Sequence, residues 1–248
     1  VAEVLCKKLS SEDLSCDSTK SERATTIADE KAAWELELDE WIHETDSYSM
    51  DMIANKEEGW LHPRQVLREL EKAMPDDVMV STDIGNINSV ANSYLRFEKP
   101  RSFFAAMSWG NCGYAFPTII GAKAAAQHRP AVSYAGDGAW AMSMVETMTC
   151  VRHDIPVTAV VFHNRHWGAE KKNQVDFYDR RFVAAELTDQ NFVDIAKSMG
   201  AEGMRVDKLE DVGPALKKAI DMQMKERKTT IIEIMCTREL GDPFRKDA

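Results

Sequence analysis

Cysteine pairing is the first thing this sequence lacks. Its five cysteines, Cys6, Cys16, Cys112, Cys150 and Cys236, are odd in number and form no Cys-x-x-Cys pair, which argues against both a disulfide framework and a structural zinc site. No apolar run approaches the roughly 20 residues needed to span a bilayer, and no signal peptide is read at the start. A reduced, cytoplasmic setting without membrane contact is therefore expected. Basic excess is missing too: the net charge is −10, and the absence of a basic face excludes a nucleic-acid role. That charge is unevenly spread. Residues 1–58 hold sixteen Asp/Glu against six Lys/Arg, whereas residues 59–248 balance at 25 of each. The acidic segment reads as a solvated helical linker with one packing stripe, Trp34, Leu38, Trp41 and Ile42. The chain also opens without Met, inside an amphipathic pattern of Val1, Val4, Leu5 and Leu9. It is expected to be a fragment, with its main domain over 59–248.

Within that domain, helical and strand patterns alternate. Helices are expected over 63–74, 87–95, 114–127, 139–153, 191–199 and 209–227. Strands are expected over 78–81, 103–106, 131–135, 156–163, 202–206 and 230–235. Such alternation predicts an α/β fold, an open and mostly parallel sheet with helices on both faces. The most informative stretch is Gly136-Asp137-Gly138, which follows a small apolar strand and is separated by twenty-five residues from Asn164, just past the next strand. Alone, Gly-Asp-Gly is an ordinary turn. In a right-handed βαβ unit, however, Asp137 and Asn164 emerge at one sheet edge with a helix amino-terminus between them. A carboxylate and an amide carbonyl are hard oxygen ligands suited to Mg²⁺, and the helix end offers N–H groups to a phosphate. On the intervening helix, Ala141, Met144, Val145, Met148 and Val151 form one apolar stripe.

Strand, Gly-Asp-Gly, helix, strand, Asn resembles the diphosphate-binding module of thiamine diphosphate enzymes of the acetolactate synthase type. The resemblance implies thiamine diphosphate and Mg²⁺ as cofactors, held around Gly136, Asp137, Gly138, Ala139, Asn164, Trp167 and Gly168. It implies three metal ligands: Asp137, Asn164 and the backbone carbonyl of His166. The family's second Asn is replaced here by Arg165. The stretch Ser108-Trp109-Gly110-Asn111-Cys112-Gly113 is similar to the family's loop that grips the aminopyrimidine, which gives Gly110 and Cys112 backbone roles there. Cys112 reads equally well as a small buried hydrophobe. In Asp83-Ile84-Gly85-Asn86-Ile87-Asn88, Gly85, Asn86 and Asn88 resemble the family's diphosphate-facing turn, though either Asn also suits a helix N-cap. No segment resembles the family's pyrimidine-binding domain, where the activating Glu is expected. No catalytic side chain is therefore assigned, the isolated fragment is expected to be inactive, and residues 1–58 are read as the end of a middle domain plus linker.

Phe162-His-Asn-Arg-His-Trp-Gly-Ala-Glu-Lys-Lys-Asn173 and Arg238-Glu-Leu-Gly-Asp-Pro-Phe-Arg-Lys-Asp-Ala248 resemble the sulfoacetaldehyde acetyltransferases more than the acetolactate synthases. This implies sulfoacetaldehyde and phosphate as substrates, acetyl phosphate and sulfite as products, and a homodimer or homotetramer. Residues 165–181 read as a loop. Its Lys171 and Arg180 are candidate anchors for a sulfonate or phosphate, against the plainer reading of a solvated charged face. Two other classes of function remain open: the diphosphate-binding subunit of a split sulfopyruvate or phosphonopyruvate decarboxylase, and a non-catalytic binding module.

Overall fold

A computed structural model describes residues 60–238 except 93 and 98, together with Asp29, Glu30, Ala32, Ala33 and Leu36, which are helical. The chain divides into two compact units, residues 1–55 and 56–248. In the first, the expected stripe from Trp34 to Ile42, the amphipathic start and Cys6 and Cys16 lie outside the described residues. The second unit is built around a sheet.

Six strands, β1 (Met79–Thr82), β2 (Phe103–Ala105), β3 (Ala131–Gly136), β4 (Thr158–His163), β5 (Glu202–Val206) and β6 (Thr230–Met235), form this sheet in the order β2-β1-β3-β4-β6-β5. Every pairing is parallel, so both faces need cover. Strand residues alternate accordingly. Tyr134, Val160, Phe162 and Ile232 face one core, which is closed by helices α1 (Pro63–Ala73), α2 (Asn86–Ala91) and α8 (Leu209–Lys225). Ala135, Val161 and Ile231 face the other, which is closed by α3 (Ala115–Ala125), α4 (Asp137–Ser143) and α7 (Phe192–Ser198). The chain leaves β1 for α2 on the first face and β3 for α4 on the second. A crevice therefore opens between the carboxyl ends of these adjacent strands, the place where open α/β sheets bind ligands.

Two helical expectations need correction. The stretch read as one helix over 139–153 is three pieces: α4, a 3-10 turn at Met144–Glu146 and α5 (Thr147–His153). The face turned inward carries Trp140, Ser143, Thr147 and Cys150. The apolar stripe faces out, with Val145, Met148 and Val151 exposed and Met144 alone half-buried against the core. Periodicity located the stripe, and the inner face is filled in part by small polar Ser143 and Thr147. The second correction concerns residues 165–181. Gly168–Phe177 is a helix, α6, with no buried residue. A helix that is polar all round has no apolar period to read, and α6 is supported instead by i,i+4 pairing of Lys172 with Asp176 at 2.7 Å.

Candidate cofactor and metal site

The carboxyl ends of β1, β3 and β4 meet at an open pocket of about 480 Å³. Gly85, Asn86, Cys112, Gly136, Asp137, Gly138, Ala139, Asn164, His166, Trp167 and Gly168 line it. All of them were singled out in the sequence, and they come from four segments far apart in the chain. Ile84, Ile87, Ala169 and Glu170 complete the wall. Asn88 and Gly110 do not line it: the Asn88 carboxamide is buried and accepts from the Thr82 hydroxyl at 2.7 Å. Lys171 and Arg180 lie outside the lining as well. Lys171 pairs with Glu186 and stands 5.3 Å from the Phe182 ring, and Arg180 is exposed.

Asp137 is the most constrained group in the pocket. It opens α4 and is 2 % exposed. Oδ1 accepts from the Gly138 N–H at 2.9 Å, and Oδ2 accepts from the N–H groups of Asn164 at 3.2 Å and Arg165 at 2.5 Å. Burial pushes the Asp137 carboxyl above the usual carboxylate range, while the Arg165 N–H and the charge of His163 oppose that rise. A buried carboxylate with its orientation fixed by three amides and one side toward a pocket is suited to receive a cation. Asn164 lies just past the end of β4, its carboxamide oxygen only loosely engaged by the His166 N–H at 3.4 Å.

The turn after Asn164 is held from behind. Trp167 donates its N–H to the Ala185 carbonyl and Leu187 to the Arg165 carbonyl, both at 2.8 Å, which makes His166 and Glu186 an antiparallel bridge. In this pattern the bridged residues turn their own N–H and C=O groups away from each other. The His166 carbonyl is therefore directed away from the 185–187 segment. Its imidazole donates through Nδ1–H to the Asn164 carbonyl at 3.0 Å, and burial lowers its pKa. Arg165 takes a left-handed conformation with φ 61° and lays its guanidinium over Trp60 at 4.1 Å, away from the pocket.

Two glycines allow the close geometry. A Cβ on Gly138 would stand 2.9 Å from the Trp167 ring, so any other residue would separate α4 from the turn after β4. Gly85, at φ 123°, has open space where a Cβ would project, which leaves room for a ligand beside the start of α2.

Sequence reasoning missed Asp83 as a structural clamp. Fully buried, it accepts from Ile84 N–H at 2.9 Å and Gly113 N–H at 3.0 Å through Oδ1, and from Ala115 N–H at 2.9 Å through Oδ2. Ser81 adds a hydroxyl donated to the Ala115 carbonyl at 2.6 Å. Together they fasten the loop carrying Cys112 to the end of β1. Burial raises the Asp83 carboxyl against the pull of these amides, and it also raises the Cys112 thiol beside Asp83 and Glu170. The clamp joins residues about thirty positions apart, so no local pattern announces it.

The donors fit the expected groups. Asp137, Asn164 and the His166 carbonyl would hold Mg²⁺ through oxygen, and the amide-rich starts of α2, α4 and α6 around the pocket would receive a diphosphate. Among the described residues no group of three His, Cys, Asp or Glu side chains could hold a metal.

A parallel sheet with its anion-receptive pocket at the switch point defines a nucleotide- or diphosphate-binding α/β module. More specifically, residues 83–234 match the family model of the thiamine pyrophosphate enzymes' C-terminal TPP-binding domain, and the chain belongs to that family. It is 77 % identical to the sulfoacetaldehyde acetyltransferase of Castellaniella defragrans over 98 % of this chain and 41 % of that protein. It is 73 % identical to the same enzyme of Alcaligenes xylosoxydans xylosoxydans over 100 % of this chain and 42 % of that protein. The chain thus spans about two fifths of the length of these curated relatives. The solved thiamine diphosphate-dependent 4-hydroxybenzoylformate decarboxylase of Rhodococcus jostii RHA1 shares the fold, with a TM-score of 0.69 at 21 % identity over 75 % of this chain and 34 % of that one. Among the described residues no helix is long and apolar enough to cross a membrane.

Proposed function

We propose that the protein carrying this chain is a thiamine diphosphate- and Mg²⁺-dependent acetyltransferase that converts sulfoacetaldehyde and phosphate to acetyl phosphate and sulfite. The observation that carries the reaction is the 77 % identity to a sulfoacetaldehyde acetyltransferase, sustained over 98 % of this chain. When bound, thiamine diphosphate supplies the carbanion chemistry. The residues of this chain bind and orient. Asp137, Asn164 and the His166 carbonyl hold the metal, and the metal and the helix starts hold the diphosphate. Gly110 and Cys112 present backbone groups to the aminopyrimidine from a loop fastened by Asp83. Trp167, packed on Gly138, closes the pocket wall against water. Lys171 and Arg180 are the proposed anion anchors. A homodimer or homotetramer, a cytoplasmic location, and a main domain over 59–248 preceded by a middle-domain end and linker belong to the same reading.

The experiment that tests it is sulfite release from sulfoacetaldehyde by the protein carrying this chain, with phosphate, Mg²⁺ and thiamine diphosphate each omitted in turn. Release that persists without thiamine diphosphate in metal-free, dialysed protein refutes the cofactor assignment. Cofactor binding without any turnover of sulfoacetaldehyde refutes the substrate and returns another decarboxylase or carboligase as the reading.

A further inference from the structure

Behind the pocket lies a buried ionisable pair that the proposed function does not use. His163 ends β4 and Glu233 sits in the middle of β6, and both are 0 % exposed. They project to the face where Val161 and Ile231 build an apolar core. The His163 Nδ1 lies 2.6 Å from Glu233 Oε1, and the imidazole packs edge-on against Phe192 with ring centroids 5.1 Å apart. Its other nitrogen, Nε2, points toward the pocket side, 3.9 Å from Asp137 Oδ2 and 3.5 Å from Asp189 Oδ1. Among the described residues Nε2 and Glu233 Oε2 make no hydrogen bond.

Such a pair is poorly suited to a purely stabilising role. Removing two ionisable groups from water costs more than their mutual attraction returns in many proteins, and apolar replacements of similar volume are often neutral or stabilising. What the pair does provide is orientation. With Glu233 accepting from Nδ1, the ring plane is fixed and its polar edge is turned to the Asp137 oxygen that also receives the Asn164 and Arg165 amides. Outer groups of this kind commonly set the direction of a ligating carboxylate.

We propose that His163, oriented by Glu233, is a positioning residue for Asp137 in the metal–diphosphate site. The inference rests on the proposed cofactor reading. Its test uses the protein carrying this chain, with Mn²⁺ in place of Mg²⁺ and thiamine diphosphate saturating. Free Mn²⁺ is counted by electron paramagnetic resonance, and thermal unfolding of the ligand-free protein is recorded in parallel. The double variant His163→Phe with Glu233→Leu should lose at least about tenfold in Mn²⁺ affinity, within the usual range for groups that orient metal ligands. Its unfolding midpoint should not fall. Glu233→Gln, whose amide oxygen still accepts from Nδ1, should recover most of the affinity that Glu233→Leu loses. A double variant that binds Mn²⁺ as tightly as the parent overturns the proposal. A lowered midpoint with unchanged affinity does too, since that is the mark of a structural pair. If the double variant does not fold, the two Glu233 variants decide, and equal affinities in both reject the inference. A parent protein that binds no Mn²⁺ with thiamine diphosphate instead removes the cofactor reading and this inference with it.

Discussion

Two regions at opposite ends of the same sheet bury charged side chains, and they do so in opposite ways. At the amino-terminal edge, Lys123 near the end of α3 is 1 % exposed, yet its ammonium is fully used: it donates to the Gln127 carbonyl at 2.8 Å, to the Arg129 carbonyl at 2.7 Å and toward Met224 Sδ at 3.2 Å. Gln223 closes the same edge by pairing with both backbone groups of Ala131, at 2.9 and 2.7 Å. At the carboxyl edge, Asp137, His163 and Glu233 are as deeply buried, but polar atoms of His163 and Glu233 are left over and Asp137 faces an open pocket. Buried polar groups that satisfy one another hold a fold together. Those with residual capacity beside a cavity mark where a ligand completes the set.

The largest effect is expected where that capacity is removed. Asp137→Ala should weaken metal-dependent thiamine diphosphate binding by well over the roughly 10–100-fold that outer-shell changes cost, with the ligand-free protein still folded. Calorimetric titration of cofactor with and without Mg²⁺ checks this, and a variant that binds as the parent does removes Asp137 from the metal site.

Asp83 tests whether the two kinds of burial are separable, since it is a closed clamp located at the open end. Asp83→Ala leaves the Gly113 and Ala115 amides without their carboxylate. It should cost about 2–3 kcal/mol, the scale of hydrogen bonds to a charged group, in urea unfolding. Cofactor binding should weaken as a consequence of the freed loop rather than of a lost ligand. Stability unchanged alongside weak binding would move Asp83 from clamp to ligand contact.

How much of the molecule was legible in its sequence depended on the range of each signal. The Gly136-Asp137-Gly138 turn and Asn164 were readable because strand ends, glycines and spacing are local, and the parallel α/β class followed from alternation. Strand order was not readable, because β6 inserts between β4 and β5 without any mark in the sequence. The helix α6 lacked a stripe, and the stripe over 141–151 carried no mark of the side it faces, which is solvent. The Asp83 clamp and the His163–Glu233 pair join positions 30 and 70 residues apart, a separation that composition and periodicity do not register.

Lys123 sharpens the comparison from the structural end. Burial lowers its pKa to about 8 from the usual 10.5. A base with a depressed folded pKa is destabilising in its charged form, fully so below about 8. That penalty is relieved as pH rises through 8 toward 10.5, because the unfolded chain then holds the proton that the folded one has released. Lys123→Met should cost about 1–3 kcal/mol at pH 7 by orphaning two carbonyls. The gap between parent and variant should widen from about pH 8 to about pH 10. Urea midpoints at both pH values check the sign, and a gap that narrows would mean that the two carbonyls hold the ammonium charged.

The smallest effect is expected at the charged surface beside the pocket, where Lys171 is already engaged. It pairs with Glu186, which is half exposed and also meets Arg238 at 3.0 Å, and the Lys171 ammonium holds the Glu186 carboxyl below the usual range. As a surface pair it is worth at most about 1 kcal/mol to stability, so Lys171→Ala should barely move the unfolding midpoint. Its kinetic effect separates the two readings. An anion anchor must leave Glu186 to meet sulfonate or phosphate, and removing the competitor should help it. Glu186→Gln should then lower the KM for one of the two anions while Lys171→Ala raises it, with cofactor affinity unchanged in both. Steady-state kinetics with sulfoacetaldehyde and phosphate varied separately identify which anion responds. If neither KM moves in either variant, Lys171 is a solvated partner of Glu186 and takes no part in anion binding.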